Sequence, residues 1–284
     1  MKRSAVFAAV LFLFSPALRA EEDAEFIRVD EDAKAARLQT AVTRFEKNGS
    51  VVDLIGAVHI ADKAYYDTLN KRFEGYEVLL FEMIGGDNLN PRAPEAAEKA
   101  EKPNPLALIY DQAARMLKLV GQVDHIDYRA KNFLHADLTV SEFTEKQAER
   151  NESILSFMLN TEKAATQPNP LRLLYAVVSG RADLLKLALV HTLGDGDDQI
   201  AALAGDNVVI GDRNVRCLEV LGRELGAGRK KVGIFYGAAH YPDMQKRLLE
   251  QGFIRTDHEW LTAWNVLKPI KQHPDPIPPP PEAY

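Results

Sequence analysis

Two hydrophobic periodicities alternate along the chain. The runs Val51–Gly56 (VVDLIG) and Val78–Met83 (VLLFEM) are short and almost continuously apolar, as expected of strands covered on both faces. Between them, residues 62–73 repeat apolar side chains at helical spacing, so Val51 to Met83 reads as a β-α-β unit. Upstream, Leu38–Phe45 alternates as a strand. Lys47-Asn48-Gly49-Ser50 is a hairpin signal, because Asn-Gly accepts the positive φ angles of a tight turn. Residues 21–36 are acidic and weakly patterned, which predicts a mobile start. Gly85 to Pro105, with its charged run Glu95–Lys102, predicts a loop or an exposed helix. From 105 to 200 the spacing is mostly helical, enough for about four helices. Thr139 and Glu142 form a capping-box pattern there, and Leu171–Leu193 is an apolar run ended by Gly194-Asp195-Gly196. The α/β pattern then resumes. It gives a helix over Asp212–Leu225, a buried strand over Lys231–Tyr236, a helix over Met244–Gln251 and one or two closing strands within Phe253–Val266. The expected fold class is α/β, a mixed β-sheet flanked by helices. A helical insertion (about 95–200) separates two halves that each carry a G-x-x-H turn.

Composition sharpens this picture. A hydrophobic fraction of 46% over 284 residues is enough for a real core, so the main domain is placed at 21–267. The formal net charge is −6 with no basic stripe, which argues against nucleic acid as a partner. Residues 1–20 read as a secretory signal: Lys2 and Arg3, an apolar core Ala5–Phe14, then small residues for cleavage. That core is shorter than the roughly 20 residues needed to span a bilayer. No transmembrane segment is expected after signal removal, and the expected location is periplasmic or secreted. Losing Lys2, Arg3 and Arg19 leaves 41 acids against 32 bases, a net −9. Cys217 is the sole cysteine and lies among apolar neighbours, as a buried structural thiol would. Residues 268–284 are proline-rich and read as a flexible tail.

The candidate chemistry lies at strand ends. In open α/β sheets ligands bind beyond the carboxyl ends of the strands. His59 closes the turn Gly56-Ala57-Val58-His59, and His240 closes Gly237-Ala238-Ala239-His240. Glu82 is a single carboxylate in an otherwise apolar strand and is costly to bury without a partner. Were the strands of His59 and Glu82 neighbours, they would lie about 5 Å apart. Two histidines and one glutamate with an open position form a catalytic zinc-type set that also suits manganese or cobalt. Arg213, at the start of the helix before the second G-x-x-H strand, could clamp a carboxylate, steady an oxyanion, or pair with Asp212 or Glu82. Asp62 and Asp243 are candidate helix N-caps; Asp137 could point into the cleft, but a capping or loop role is preferred for it. No G-x-S-x-G is present, so serine-based hydrolysis is set aside.

The ordered set G-A-V-H (56–59), F-E-M (81–83), D-R-N (212–214) and G-A-A-H (237–240) resembles the TraB/PrgY/GumN family, which includes the Tiki proteins. The resemblance spans roughly Val51 to Gly252, around a variable helical middle. It implies a divalent-metal-dependent hydrolase fold related to erythromycin-esterase and ChaN-like proteins. His59, Glu82 and His240 would then be metal or catalytic residues, with Arg213 beside them. The family often has Glu before the arginine, and this chain has Asp212 there. The expectation is an exported metal-dependent hydrolase (Mn, Co or Zn), probably a peptidase, acting on a peptide or small molecule. The alternatives are a non-catalytic peptide- or haem-binding protein of the same fold, and a scaffold that recruits partners through its tail.

Overall fold

The computed structural model describes residues 25–84, 105–153, 170–194 and 207–269. The expected signal at 1–20, the charged run 95–102 and the tail beyond 269 lie outside the described residues.

A mixed seven-stranded sheet organises the chain. Strand β1 (Ile27–Glu31) leads into β2 (Ala35–Lys47), β3 (Ser50–Ala57) and a two-residue strand β4 (Ile60–Ala61). Helix α1 (Lys63–Phe73) and β5 (Val78–Phe81) complete the β-α-β unit. The middle contains α2 (Pro105–Leu117), β6 (Val120–Gly121), α3 (Gln122–His125) and β7 (Phe133–His135). After them come α4 (Val140–Arg150), α5 (Pro170–Val178) and α6 (Ala182–Gly194). A wide helical turn at Val208–Asp212 opens α7 (Arg213–Gly226), followed by β8 (Lys231–Gly237), α8 (Tyr241–Glu250) and β9 (Ile254–Leu267).

The predicted hairpin is present. Lys47 pairs with Ser50, and Asn48 and Gly49 take φ of 49° and 73° between them. Strand β2 is long enough for β1 and β3 to share one edge end to end, while β9 runs along the other. Strands β3, β8, β5 and β7 then lie side by side, all parallel. Alternate residues face opposite layers. Ile55, Leu79, Phe81 and Phe235 pack under α1 with Tyr65, Tyr66, Leu69 and Phe73. Val52, Leu54, Leu80, Val232 and Ile234 pack against α7 and α8 through Cys217, Leu221, Met244 and Leu248. Burial pushes the Cys217 thiol pKa up, in keeping with a structural role.

Four expectations need correction. The strands of His59 and Glu82 are not neighbours, because β8 runs between β3 and β5. The start is not featureless: β1 is a strand, and Phe26 before it is fully buried against Tyr241. The helical middle also contributes β7, an outer strand of the main sheet, which at three residues is too short to show a periodicity. The run Leu171–Leu193 is two helices, broken where Gly180 takes φ of 64°.

The turn carrying His59 is fastened from several sides. Tyr65 Oη donates to Gly56 O at 2.5 Å and Tyr66 Oη to Val58 O at 2.8 Å. Gln122 N donates to His59 O at 2.8 Å, and Trp264 Nε1 to Ile60 O at 2.7 Å. Gly56 occupies a tight space here. A Cβ would stand 3.1 Å from both Ala41 O and Thr40 Cβ of the adjoining strand. Asp62 precedes α1 at the cap position, yet its side chain accepts from Asn265 N at 2.7 Å and caps nothing. The backbone of this turn is therefore tied to β9 and to α3, and only the His59 side chain is left exposed.

Candidate active site

Each of the four parallel strands ends in a polar residue. His59 lies just beyond β3, His240 beyond β8, Glu82 directly after β5 and Asp137 beyond β7. The registers Ala57–Gly237, Phe81–Phe235 and Phe81–His135 bring these ends to one edge of the sheet. Parallel strands create this alignment automatically, since every carboxyl end faces the same way.

Arg213 joins the strand ends from across the cleft. The wide turn before α7, capped by Asn207 through a 2.8 Å bond to Ile210 N, aims its side chain at the sheet. Arg213 Nε and Nη2 donate to Asp137 Oδ1 and Oδ2 at 2.9 and 2.6 Å, a bidentate pair. Nη2 also donates to Glu82 Oε1 at 2.6 Å, and Nη1 reaches Val209 O at 3.3 Å. Glu82 Oε2 accepts from Gly237 N at 2.6 Å. His240 Nε2 stands 3.6 Å from Glu82 Oε1 and 3.5 Å from Arg213 Nη1. The Arg213, His240 and Asp137 side chains are 7%, 4% and 0% exposed, whereas Glu82 is 15% exposed and forms the wetter side of the knot.

Burial disfavours the ionised form of Glu82. Even so, Arg213, His240 and His59 hold its carboxyl well below the ordinary glutamate range. For Arg213 burial opposes the charge, but Glu82 and Asp137 outweigh it and raise its pKa. Two carboxylates against one guanidinium leave one negative charge when the imidazoles are neutral. A depressed folded-state pKa means that Glu82 stabilises the fold above its unfolded value near 4.5 and loses that contribution as pH falls below it. Urea midpoints measured from neutral pH down to about 3 should therefore fall more steeply for the natural chain than for Glu82→Gln. Parallel curves over that window below the ordinary glutamate range of about 4.3 would refute the depressed pKa.

His59 sits at the rim. Its ring is exposed and lies 5.1 Å from the ring of Tyr110 on α2. Among the described residues it makes no side-chain hydrogen bond, but its charge reaches Glu82. Tyr110 belongs to the same mouth: partial burial and the Glu82 charge together push its phenol pKa up. Arg213 pairs with Glu82 and not with Asp212. Asp212 turns away to Arg150 at 3.2 Å and Lys146 at 3.6 Å, so the departure from the family pattern falls outside the knot. Asp243 is no N-cap either; it accepts from Asn214 Nδ2 and Arg247 Nε inside the first turn of α8.

Three further residues belong to the site. Asp137, for which a capping or loop role was preferred over one pointing into the cleft, points into it and anchors Arg213. Asn214 was quoted only as part of D-R-N, yet it is fully buried and bonded to His240. Its signal was legible: it occupies the apolar stripe of α7 with Cys217, Leu218 and Leu221. Tyr110 gave no signal beyond helical spacing.

No known family, curated protein or solved structure matches the chain. The TraB/PrgY/GumN resemblance accordingly rests on the four motifs.

Two of the candidate donors are spaced as ligands of a shared ion would be. Two ligand atoms each about 2.0–2.2 Å from a tetrahedral ion stand roughly 3.4 Å apart. His240 Nε2 and Glu82 Oε1 are 3.6 Å apart. Among the described residues no three His, Cys, Asp or Glu side chains are gathered closely enough to hold an ion as they stand. His59, exposed at the rim, is the remaining histidine of the sequence-derived set. Arg213 competes for Oε1, while the surplus negative charge favours a cation.

Proposed function

We propose that the chain is an exported hydrolase of TraB/PrgY/GumN type that takes a divalent ion and cleaves peptides. The observation that carries this reading is the convergence of Glu82, Arg213 and His240 at the carboxyl ends of adjacent parallel strands, with one surplus negative charge. His240 and Glu82 would hold the ion from within and His59 from the rim. Bound there, manganese, cobalt or zinc would supply an acidified water and a polarised carbonyl. Arg213, fixed bidentately by Asp137, keeps its guanidinium beside Glu82 Oε1 and His240 Nε2, where it would steady negative charge on a substrate oxygen without reorganising. Tyr110 and His59 form the surface a substrate meets first.

One observation favours a second reading. Glu82 Oε1 is already paired with Arg213, as suits a cleft that binds a peptide or haem without turnover. Purified protein incubated with a peptide library, with and without added manganese, cobalt or zinc, separates the two. Cleavage that requires metal and is lost in His59→Ala and His240→Ala supports the hydrolase. Stoichiometric binding with no cleavage under any of the metals leaves the binding protein.

A further inference from the structure

We propose that Asn214 is a positioning residue that fixes His240 in the tautomer with its proton on Nδ1, leaving the Nε2 lone pair facing Glu82. The use made of that lone pair rests on the hydrolase reading; the tautomer itself does not.

The argument begins with the carboxamide. Asn214 is fully buried on the inner face of α7. Its Nδ2 lies 3.0 Å from His240 O and 2.8 Å from Asp243 Oδ2. Both partners are acceptors, and Asp243 also accepts from Arg247 Nε at 2.7 Å. Only an NH2 group can face them, so the orientation of the amide is set by chemistry. Its Oδ1 then faces His240 Nδ1 at 2.6 Å, and an amide oxygen only accepts. Nδ1 must carry the hydrogen. A neutral ring with Nδ1 protonated keeps its lone pair on Nε2.

The other side of the ring leaves the assignment to Asn214. Nε2 stands 3.5 Å from Arg213 Nη1, which only donates, and 3.6 Å from Glu82 Oε1, which only accepts. These two neighbours pull the Nε2 hydrogen in opposite directions, so the short bond from Nδ1 to Asn214 Oδ1 decides the tautomer. Tyr236, edge-on to the ring at 5.1 Å, holds the imidazole plane without offering a competing bond to either nitrogen. Asn214 thus ties together the second G-x-x-H turn, the first turn of α8 and the start of α7, and its carbonyl oxygen determines which imidazole nitrogen is available to a ligand. Groups that orient a metal-binding histidine through its second nitrogen act in this way.

The test is NMR of the full chain labelled with 15N-histidine, metal-free, at a pH where the ring is neutral, with His240→Gln assigning the signal. The expected result is the Nδ1–H tautomer at His240. Asn214→Leu should move it to the Nε2–H form that free imidazole prefers, while Asn214→Asp, which keeps an acceptor oxygen, should retain Nδ1–H. Zinc uptake followed on the same samples should weaken about 10–100-fold in Asn214→Leu. An Nε2–H ring in the natural chain overturns the proposal, and so does an unchanged ring in a folded Asn214→Leu. If that variant does not fold, the tautomer of the natural chain decides alone. An Nδ1–H ring in a protein that takes up no zinc would sink the metal reading and leave the positioning role standing.

Discussion

Arg213→Met should lower folding stability by about 3–5 kcal/mol, the usual cost of removing one partner from a buried ion pair. The reason lies in what remains. Asp137 is 2% exposed and draws both of its long-range hydrogen bonds from Arg213, and Glu82 Oε1 loses its shortest partner. Two carboxylates would be left without their cation, Asp137 enclosed and Glu82 only partly wetted, which favours protonation of one of them. Neutralising the acids tests the cause. Arg213→Met combined with Glu82→Gln and Asp137→Asn should recover most of the loss, because a fully apolar or neutral replacement of a buried ion cluster is often tolerated. Urea denaturation of the single and triple variants decides it. A single variant within about 1 kcal/mol of the natural chain would mean that the knot is solvated and carries little of the fold.

On the proposed hydrolase reading, Glu82→Gln should keep the fold and strongly reduce the chemistry. Arg213 retains its bidentate hold on Asp137, so no buried cation is stranded. The amide nonetheless removes the charge that would receive a cation, and its one carbonyl oxygen can accept from Arg213 Nη2 or from Gly237 N but not from both, which leaves its NH2 facing the other donor. Metal-dependent peptide cleavage should fall about 10²–10⁴-fold, the range for loss of a positioned acid–base or charge-bearing group. The measurement is kcat/KM on a peptide that the natural chain cleaves, with metal content determined on the same preparation. Activity within about tenfold of natural would remove Glu82 from the reaction and leave its role structural.

The sequence by itself placed most of the strands and helices, though not β1, β7 or the break at Gly180, and it singled out His59, Glu82, Arg213 and His240 as candidates. These are local facts. An apolar run of four to eight residues, a turn that follows it and a helix start are all written within a few positions, because burial of a face imposes its period on neighbouring residues. Partners of buried charges are not local. Asp53 and Glu82 look alike in the sequence, each a lone acid in an apolar strand. Asp53 is satisfied by Arg44 at 2.8 and 2.9 Å and by Tyr76 at 2.7 Å, an arrangement complete in itself. Glu82 meets an arginine 131 positions away that is shared with an acid 76 positions from that arginine. Only the tertiary structure could place β8 between the strands of His59 and Glu82, bring in Asp137 from a three-residue strand, and set Asn214 against His240. The parallel order of four strands decides which polar ends meet, and hydrogen bonding across sequence-distant elements decides which of their atoms remain open to a ligand.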